Sequence, residues 1–349
     1  PAIAALSAVE CAVLVVSATA GIQVVTRRMF ERAREYGVGV WIVINHIHAS
    51  NVDLRALVEQ IQESFGAECV PLTLPKDGGK AVVDCFSEET GSSDLGDVEA
   101  AHTALIEAMV GADDELMEKY LGGELSKEEA KKAAADAVAQ GACIPILFTD
   151  AVDDVGIREF LSLLQSFVPS PVEGKKRSIT REGNTQEIQP DPKGPFIGQV
   201  FKITTDPRSN IKYLSVRVHS GSLTSDMSLK TEDHPKGTRP GHVLRAIGAE
   251  HKEAHAGVAG DIIALAKLDF EIGDTLTDGA TGTVEMPKFP EPMFSLALES
   301  KSRGDEDKIS TALRRFAEED PCFRSERGTG GELVVRGMGE LQLRTYLHR

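Results

Sequence analysis

The stretch V-G-V-W-I-V-I-N-H-I-H, from Val38 to His48, decides the fold of this chain. Up to Ile44 it is apolar, mostly β-branched or aromatic, which is typical of a strand buried on both faces of a parallel sheet. Asn45, His46 and His48 follow at the carboxyl end of that strand. Because ligands of open α/β sheets bind at this edge, we predict that any nucleotide site of the chain lies here.

The segments around this strand alternate between strand and helix patterns. The apolar run Cys11–Ser17 predicts another buried strand, and helically spaced apolar residues predict a helix that ends at Gly37. A second amphipathic helix is predicted between Asn51 and Gly66, and an apolar stretch continues to Leu74. This alternation indicates a parallel, doubly wound sheet, and a further helix is predicted over residues 1–9.

An acidic segment, about residues 76–140, interrupts this rhythm with a loop and helices. Residues 76–136 carry 16 acidic against 6 basic side chains. Ser126-Lys127-Glu128-Glu129 has the form of a capping box that opens the last of these helices. Such a segment is most often a solvated helical face and less often a docking surface for a basic partner.

The sheet pattern resumes at Cys143–Phe148, and a helix that ends before Pro169 closes the first domain. Residues 172–194 are rich in charges, prolines and glycines and are predicted to be a linker. From residue 195 the apolar period changes to two, and short strands between turn residues predict a small β-barrel. From Phe294 onward, the order strand, helix, strand, helix predicts at least half of a ferredoxin-like α+β unit.

The composition argues against several classes of protein, namely nucleic-acid-coating, membrane-spanning and disulfide-stabilised proteins. The chain has 349 residues, 41% of them hydrophobic, and a net charge of −16, which argues against generic coating of nucleic acid. No apolar run is long enough for a membrane helix. The five cysteines show no C-x-x-C spacing, so we expect free thiols in a reducing cytosol. The chain begins without Met in a helix-like run, and we expect it to be a fragment.

Several motifs resemble those of the elongation factor G family. The runs F-A-E-E-D-P-C-F (Phe316–Phe323) and G-M-G-E-L-Q-L (Gly337–Leu343) are similar to its third domain. The run F-K-I-T-T-D-P (Phe201–Pro207), together with A-G-D-I from Ala259, resembles its second, barrel domain. The run V-S-A-T-A-G-I-Q (Val16–Gln23) resembles the strand and turn that follow switch II in its GTPase domain.

This resemblance implies an α/β and β multidomain protein, with a partial P-loop-GTPase-type parallel sheet, a small translation-factor β-barrel and a truncated ferredoxin-like α+β domain. The expected bounds are 1–171 for the C-terminal part of the GTPase-like domain, 172–194 for the linker, 195–286 for the barrel and 287–349 for the partial third domain. It also implies a cytoplasmic, monomeric GTPase that binds the ribosome, both its RNA and its proteins, and no membrane. Its cofactors would be GTP or GDP with Mg²⁺.

The guanine-binding pattern N-K-x-D of the family falls on Asn45-His46-Ile47-His48. In the family the asparagine braces the loop, and the aspartate accepts two hydrogen bonds from guanine. A histidine at position 48 cannot offer two parallel acceptors. The second base-contacting loop of the family falls on Thr149-Asp150-Ala151, where Asp150 is a candidate substitute acceptor. We therefore expect guanine discrimination to be weak or absent.

No residue is predicted to be catalytic. A phosphate-binding G-x-x-x-x-G-K-[ST] run, the switch I threonine segment and a D-x-x-G-H turn do not occur in the sequence. By alignment with the family we expect them upstream of Pro1. The first alternative is a non-hydrolysing, ribosome-associated relative that acts as a binding module.

The remote alternative is a metal-dependent hydrolase built on the His46–His48 pair, since H-x-H at a strand end points both rings the same way. No metal site is predicted, because no further ligands are evident nearby. Trp41 is expected in the core. Five arginines near the carboxyl end either face ribosomal RNA or pair with the acidic residues 318–320; they are Arg314, Arg315, Arg324, Arg327 and Arg336.

Overall fold

The computed structural model describes residues 2–111, 113–248, 250–299, 304, 306–328 and 332–348. It divides into two compact units, Val9–Lys175 and Pro1–Ala8 with Lys176–Arg349. Helix α1 (Ala2–Ala5) and a 3-10 turn (Leu6–Ala8) open the chain. The helix is shorter than the one predicted over residues 1–9. The Ser7 hydroxyl donates to the Ala4 carbonyl oxygen at 2.9 Å, a local bond that competes with continued helix.

The unit Val9–Lys175 alternates strands with helices from β1 to β3, as the sequence predicts, and then continues with further strands before α4. Its strands are β1 (Cys11–Ser17), β2 (Gly39–Asn45), β3 (Cys69–Pro71), β4 (Thr73–Lys76), β5 (Ala81–Asp84), β6 (Ser92–Ser93), β7 (Gly96–Asp97) and β8 (Ile144–Thr149). Its helices are α2 (Val24–Tyr36), α3 (Leu54–Phe65), α4 (Val98–Val110), α5 (Asp114–Leu121), α6 (Lys127–Gln140) and α7 (Ile157–Phe167).

A four-stranded parallel sheet in the order β1-β2-β8-β3 forms the centre of this unit. The predicted burial of the β2 strand is confirmed, because Val40, Trp41, Ile42 and Ile44 are at most 1% exposed. Strand β8 is buried along its whole length. The two strands that position the candidate site are therefore the most deeply buried part of the sheet.

Strand β1 is less buried than predicted. It pairs with β2 and lies at the edge of the sheet in the described part of the chain. Val13 is 36% exposed and Val15 is 64% exposed, so one face of the strand is open. The apolar run Cys11–Ser17 correctly indicated a strand, but an apolar run carries no information about whether its strand is central or at an edge.

The helix ends follow local chemistry. Gly37 closes α2 in a left-handed conformation, with a φ of 77°, and its N–H bonds to the carbonyl oxygens of Ala33 and Arg34. Helix α3 begins later than Asn51, because the carboxylate of Asp53 accepts the N–H of Ala56 at 2.9 Å. The predicted capping box of α6 is confirmed in both directions between Ser126 and Glu129.

The acidic segment contains more strand than predicted. Strands β4 and β5 form an antiparallel hairpin, β6 and β7 form a second short pair, and helices α4, α5 and α6 follow. Helices α4 and α6 bury apolar side chains that include Leu105, Met109, Ala134 and Val138, and both helices pack against strands of the central sheet. None of the described helices of the chain is long and apolar enough to cross a membrane.

The second unit is rich in antiparallel strands. They are β9 (Ser178–Arg181), β10 (Asn184–Glu187), β11 (Ile197–Thr205), β12 (Lys212–Ser220), β13 (Ser222–Leu223), β14 (Val243–Ile247), β15 (Glu250–Ala254), β16 (Gly257–Val258), β17 (Ile262–Ala266), β18 (Thr275–Thr277), β19 (Thr283–Val284), β20 (Phe294–Leu298), β21 (Arg324–Arg327) and β22 (Leu333–Gly337). Two helices, α8 (Glu306–Glu319) and α9 (Glu340–Leu347), lie among the last strands.

The predicted barrel corresponds to a six-stranded sheet in the order β15-β14-β17-β12-β11-β18, with the pair β13-β16 beside it. One apolar cluster fills its interior, with Phe196, Leu214, Val216, Leu265 and Phe270 each at most 2% exposed. We call this part, residues 195–277, the barrel.

The segment 172–194, predicted to be a linker, contains the hairpin β9–β10. Strand β9 also pairs with β19, so the segment belongs to a three-stranded sheet. Ile179 and Ile188 share a small core with Ile197 and Val284. The linker prediction was therefore wrong for this part, because two widely spaced isoleucines give this charged segment a buried side.

The last part of the chain has the order β20-α8-β21-β22-α9, with the strands arranged as β20-β22-β21. Leu313, Phe316, Phe323, Val335 and Leu343 form its core. This agrees with the predicted ferredoxin-like unit, with one additional strand. Strand β21 was missed because all of its residues are exposed and it shows no apolar alternation.

The capping box gives a pH-dependent prediction. The hydrogen bond from the Ser126 hydroxyl, followed by that from Lys119, lowers the pKa of Glu129 from its ordinary value of 4.5 to about 2. A lowered carboxyl pKa contributes stability that is present above the ordinary value and is lost as the pH falls towards the lowered one. We therefore expect the α6 cap to weaken between these two values.

Carbon NMR titration of the Glu129 carboxyl tests this expectation. Ser126→Ala should move the midpoint back towards the ordinary value, and Lys119→Gln should move it less, because Ser126 is the larger cause. An unchanged Glu129 midpoint in Ser126→Ala would contradict the assignment of the cap.

Candidate functional site

Three strand ends meet at the carboxyl edge of the parallel sheet. Ser17 is level with Asn45 in the register of β1 and β2, and Asn45 is level with Thr149 in that of β2 and β8. The loops that follow these strands therefore start side by side. The structure thus brings all the predicted site residues, 45, 46, 48 and 149–151, to one edge of the sheet.

Asn45 fastens these loops together. Its side-chain oxygen accepts hydrogen bonds from the Thr149 hydroxyl at 3.2 Å and from the Ala151 N–H at 3.0 Å. Its backbone oxygen accepts the N–H of Ala18 at 2.8 Å. One side chain at the end of β2 thereby holds the start of the loop after β8, which is the bracing role that the resemblance implied.

His46 turns the chain away from the strand. It has a φ of 66°, in the left-handed region that few non-glycine residues occupy. Its Nδ1 lies 3.1 Å from the Ser17 hydroxyl oxygen, which is itself 2.8 Å from the Thr19 hydroxyl oxygen. The imidazole of His46 therefore faces the end of β1.

His48 faces the opposite side of the loop. Its Nδ1 lies 2.9 Å from a carboxylate oxygen of Asp150, and its Nε2 lies 2.9 Å from one of Asp153. Both contacts are hydrogen bonds only in the imidazolium form, because a neutral ring has one N–H. We call His48, Asp150 and Asp153 the ion cluster.

The two histidines therefore do not point the same way, and this expectation was wrong. Side chains alternate regularly only in an extended strand, and the left-handed backbone at His46 breaks that alternation. An ion bound to the ring of one histidine would have no ligand from the other. The geometry consequently does not support a hydrolytic metal centre built on the His46–His48 pair.

Among the described residues, the three members of the ion cluster have possible metal-ligating atoms close to one another. One possible ligand atom from each member lies within 4.8 Å of the others. A metal ligand must present an unprotonated nitrogen, however, and here each ring nitrogen faces a different carboxylate. The contacts shown are those of an imidazole lying between two carboxylates, and we assign no metal ion to the cluster.

Asp150 is already engaged on both of its carboxylate oxygens. It is 2% exposed, and one oxygen accepts the N–H of Val152 at 3.1 Å while the other faces His48. Its backbone exchanges two hydrogen bonds of 2.9 Å with Val155, which closes the loop. This burial opposes the predicted role of Asp150 as a substitute acceptor for a base.

A glycine supports the loop that carries His48. Gly79, in the turn between β4 and β5, has a φ of 77°, and an added Cβ would lie 3.0 Å from the Ile47 carbonyl oxygen. Its N–H donates to Asp94 at 2.9 Å, which anchors the turn. Neither Gly79 nor Asp153 was singled out from sequence. The acidic run D-A-V-D-D after β8 was an available signal for Asp153, whereas nothing local indicated Gly79.

The cysteines offer no nucleophile. All five are free. Burial raises the pKa of the Cys69, Cys85 and Cys143 thiols to about 12, and the same cause acts on Cys11, which is only partly exposed. Thiols with such values remain protonated and inert. The prediction of free thiols is confirmed.

Three family models match consecutive parts of the chain. The elongation factor Tu GTP binding domain matches residues 2–170, elongation factor G domain 2 matches residues 195–279, and elongation factor G domain III matches residues 289–349. The order is the one that the sequence motifs indicated.

A crystal structure of a protein from Thermus thermophilus is similar over the whole chain. The two are 29% identical, with a TM-score of 0.82, and the match covers 99% of this chain and 52% of that one. The chain therefore spans about half the length of this similar protein.

The bracing by Asn45 gives a direct prediction. Asn45→Ala removes the acceptor of both the Thr149 hydroxyl and the Ala151 N–H. At about 1–1.5 kcal/mol for a lost hydrogen bond, exchange of the Ala151 amide hydrogen should accelerate roughly tenfold. Hydrogen exchange followed by NMR measures this rate.

Thr149→Val serves as the matched control, because it removes one donor and keeps the bond to Ala151. It should leave the Ala151 amide nearly as protected as in the unmodified chain. Equal exchange rates in Asn45→Ala and in the unmodified chain would show that Asn45 does not hold this loop.

Proposed function

Because the chain belongs to the elongation factor G-like family of translational GTPases, we propose that it acts on the ribosome as a translation factor with weak guanine selectivity. The family activity is binding and hydrolysis of GTP coupled to ribosomal translocation or recycling. The protein would work as a monomer in the cytoplasm, with ribosomal RNA and ribosomal proteins as its partners.

The order of the matched parts supports ribosome binding. Three translation-factor models follow one another across residues 2–170, 195–279 and 289–349. A GTP-binding domain alone occurs with many functions, since function depends on sites rather than on folds. The continuous match to two further elongation factor G domains therefore carries the proposal.

The ion cluster supports weak guanine selectivity. His48 occupies the position where the family has an aspartate, and its two ring nitrogens already face Asp150 and Asp153. Losing two hydrogen bonds to a charged acceptor costs roughly 3–6 kcal/mol, or about two to four orders of magnitude in affinity. The residues at this edge thus do not fit a guanine base in the way the family pattern does.

GTP, GDP and Mg²⁺ enter the proposal through the family. The 349 residues contain no G-x-x-x-x-G-K-[ST] run, whose amides and hydroxyl would hold phosphates and the ion. We accordingly assign no hydrolytic step to residues of this chain. A second candidate is a ribosome-associated relative that does not hydrolyse GTP, in which the contacts of His48 with two carboxylates would weaken binding of the nucleotide.

Sedimentation with ribosomes tests the main proposal. The chain should pellet with purified ribosomes at low salt, and the logarithm of its binding constant should fall linearly with the logarithm of the salt concentration. His48→Asp should pellet equally well, because the barrel and the domain after it are unchanged. A chain that stays in the supernatant at every salt concentration would contradict ribosome binding.

Nucleotide competition tests the selectivity. Measured on the full-length protein, the affinities for GDP and ADP should differ by less than about tenfold. His48→Asp restores the carboxylate of the family pattern and should shift the ratio towards GDP, whereas His46→Asp, which faces Ser17, should not. A sub-micromolar, guanine-selective constant for the unmodified chain would disprove weak selectivity.

A further inference from the structure

A cleft of about 540 Å³ lies in the second unit, between the β11–β12 hairpin and helix α8. The barrel side contributes Thr205, Asn210 and Lys212. Helix α8 contributes a stripe of residues three or four apart, which includes Thr311, Arg314 and Arg315. We propose that this cleft binds a phosphate group, held mainly by Arg314 and Arg315.

Most of the other charges in the cleft compensate one another. The Lys212 ammonium lies 3.1 Å from a Glu318 carboxylate oxygen and 3.7 Å from one of Asp269. Glu318 and Lys212 therefore form an ion pair across the cleft. Asp307 lies in the first turn of α8, where the positive end of the helix dipole stabilises its carboxylate.

The two arginines are not compensated in this way. Within the described residues, neither Arg314 nor Arg315 has a carboxylate partner. Elsewhere in this domain, Arg324 lies 2.8 Å from Glu291 and Arg336 lies 2.6 Å from Glu326. Arg324 and Arg336 therefore do not form the pairs with residues 318–320 that were one of the two expectations for the five arginines. Two adjacent uncompensated guanidinium groups are notable in a protein whose net charge is −16.

Arg315 also has a donor without an acceptor. Its Nε is shielded from solvent and has no hydrogen-bond partner, while its guanidinium lies over the Phe316 ring at 5.3 Å. The contact with the ring of Phe316 places the charged end of Arg315 beside an aromatic face. A buried donor of this kind is expected to have a partner, and an anion in the cleft would supply one.

Phosphate fits these donors better than a carboxylate does. A guanidinium binds two oxygens of a phosphate through parallel hydrogen bonds, and a second guanidinium can bind the remaining oxygens. The hydroxyls of Thr205 and Thr311 and the amide of Asn210 add neutral donors at the walls. The same chemistry is presented by a free phosphate compound and by the backbone of RNA.

Calorimetric titration of the full chain with inorganic pyrophosphate tests the site. Arg314→Gln/Arg315→Gln should weaken binding at least tenfold. Arg324→Gln/Arg336→Gln removes the same charge from paired arginines and should change the affinity less than about twofold, since only the unpaired groups contact the ligand. Arg314→Gln alone, at an exposed position, should also weaken binding and guards against misfolding of the double variant.

A short RNA oligonucleotide identifies the source of the phosphate. If RNA is the ligand, the oligonucleotide displaces pyrophosphate and loses affinity in the Arg314→Gln/Arg315→Gln variant but not in the control. If a free phosphate compound is the ligand, the oligonucleotide does not displace it. Equal pyrophosphate affinity in both double variants, or no binding up to about 10 mM, would overturn the proposal.

Discussion

The side chain of Asn45 is the contact on which the candidate site depends. It lies at the end of a fully buried strand and accepts hydrogen bonds from Thr149 and Ala151 on the neighbouring loop. These hydrogen bonds thereby join the carboxyl ends of β2 and β8. The turn at His46 and the loop that carries His48 both start directly after Asn45, so their positions depend on these hydrogen bonds.

His48 determines what the joined edge can do. A carboxylate at this position would leave two acceptors facing outward, as the family pattern requires. An imidazole here instead faces two carboxylates, and both of its nitrogens are used. A base would therefore have to displace a contact between His48 and a carboxylate before residue 48 could bind it.

Much of the fold was predictable because local chemistry and burial agreed. The strand to Asn45, the helix end at Gly37 and the capping box at Ser126 each depend on neighbouring residues in sequence, and each has the predicted form. The open face of β1 and the hairpin at residues 178–187 were not predicted. Both depend on which distant segments of the chain pack against these strands, and a local sequence pattern does not identify those segments.

The residues of the candidate site were predictable, but their contacts were not. The strand end indicated residues 45–48, and the family resemblance implied that residues 149–151 belong to the same site, where the structure places them. The left-handed turn at His46 reversed the expected direction of one ring, and Asp153 reached His48 from a loop. Side-chain direction after the last strand residue depends on the backbone dihedral angles of the turn and on the side-chain rotamer, which residue type alone does not specify.

The central claim is that His48 stays bound to its carboxylates and leaves no acceptors for guanine. A high-resolution crystal structure of the chain grown with GDP tests it most directly. The account predicts that His48 keeps both contacts with Asp150 and Asp153, and that no ordered base lies at the end of β2. An ordered guanine beside residues 45–48, with His48 rotated away from the aspartates, would contradict it.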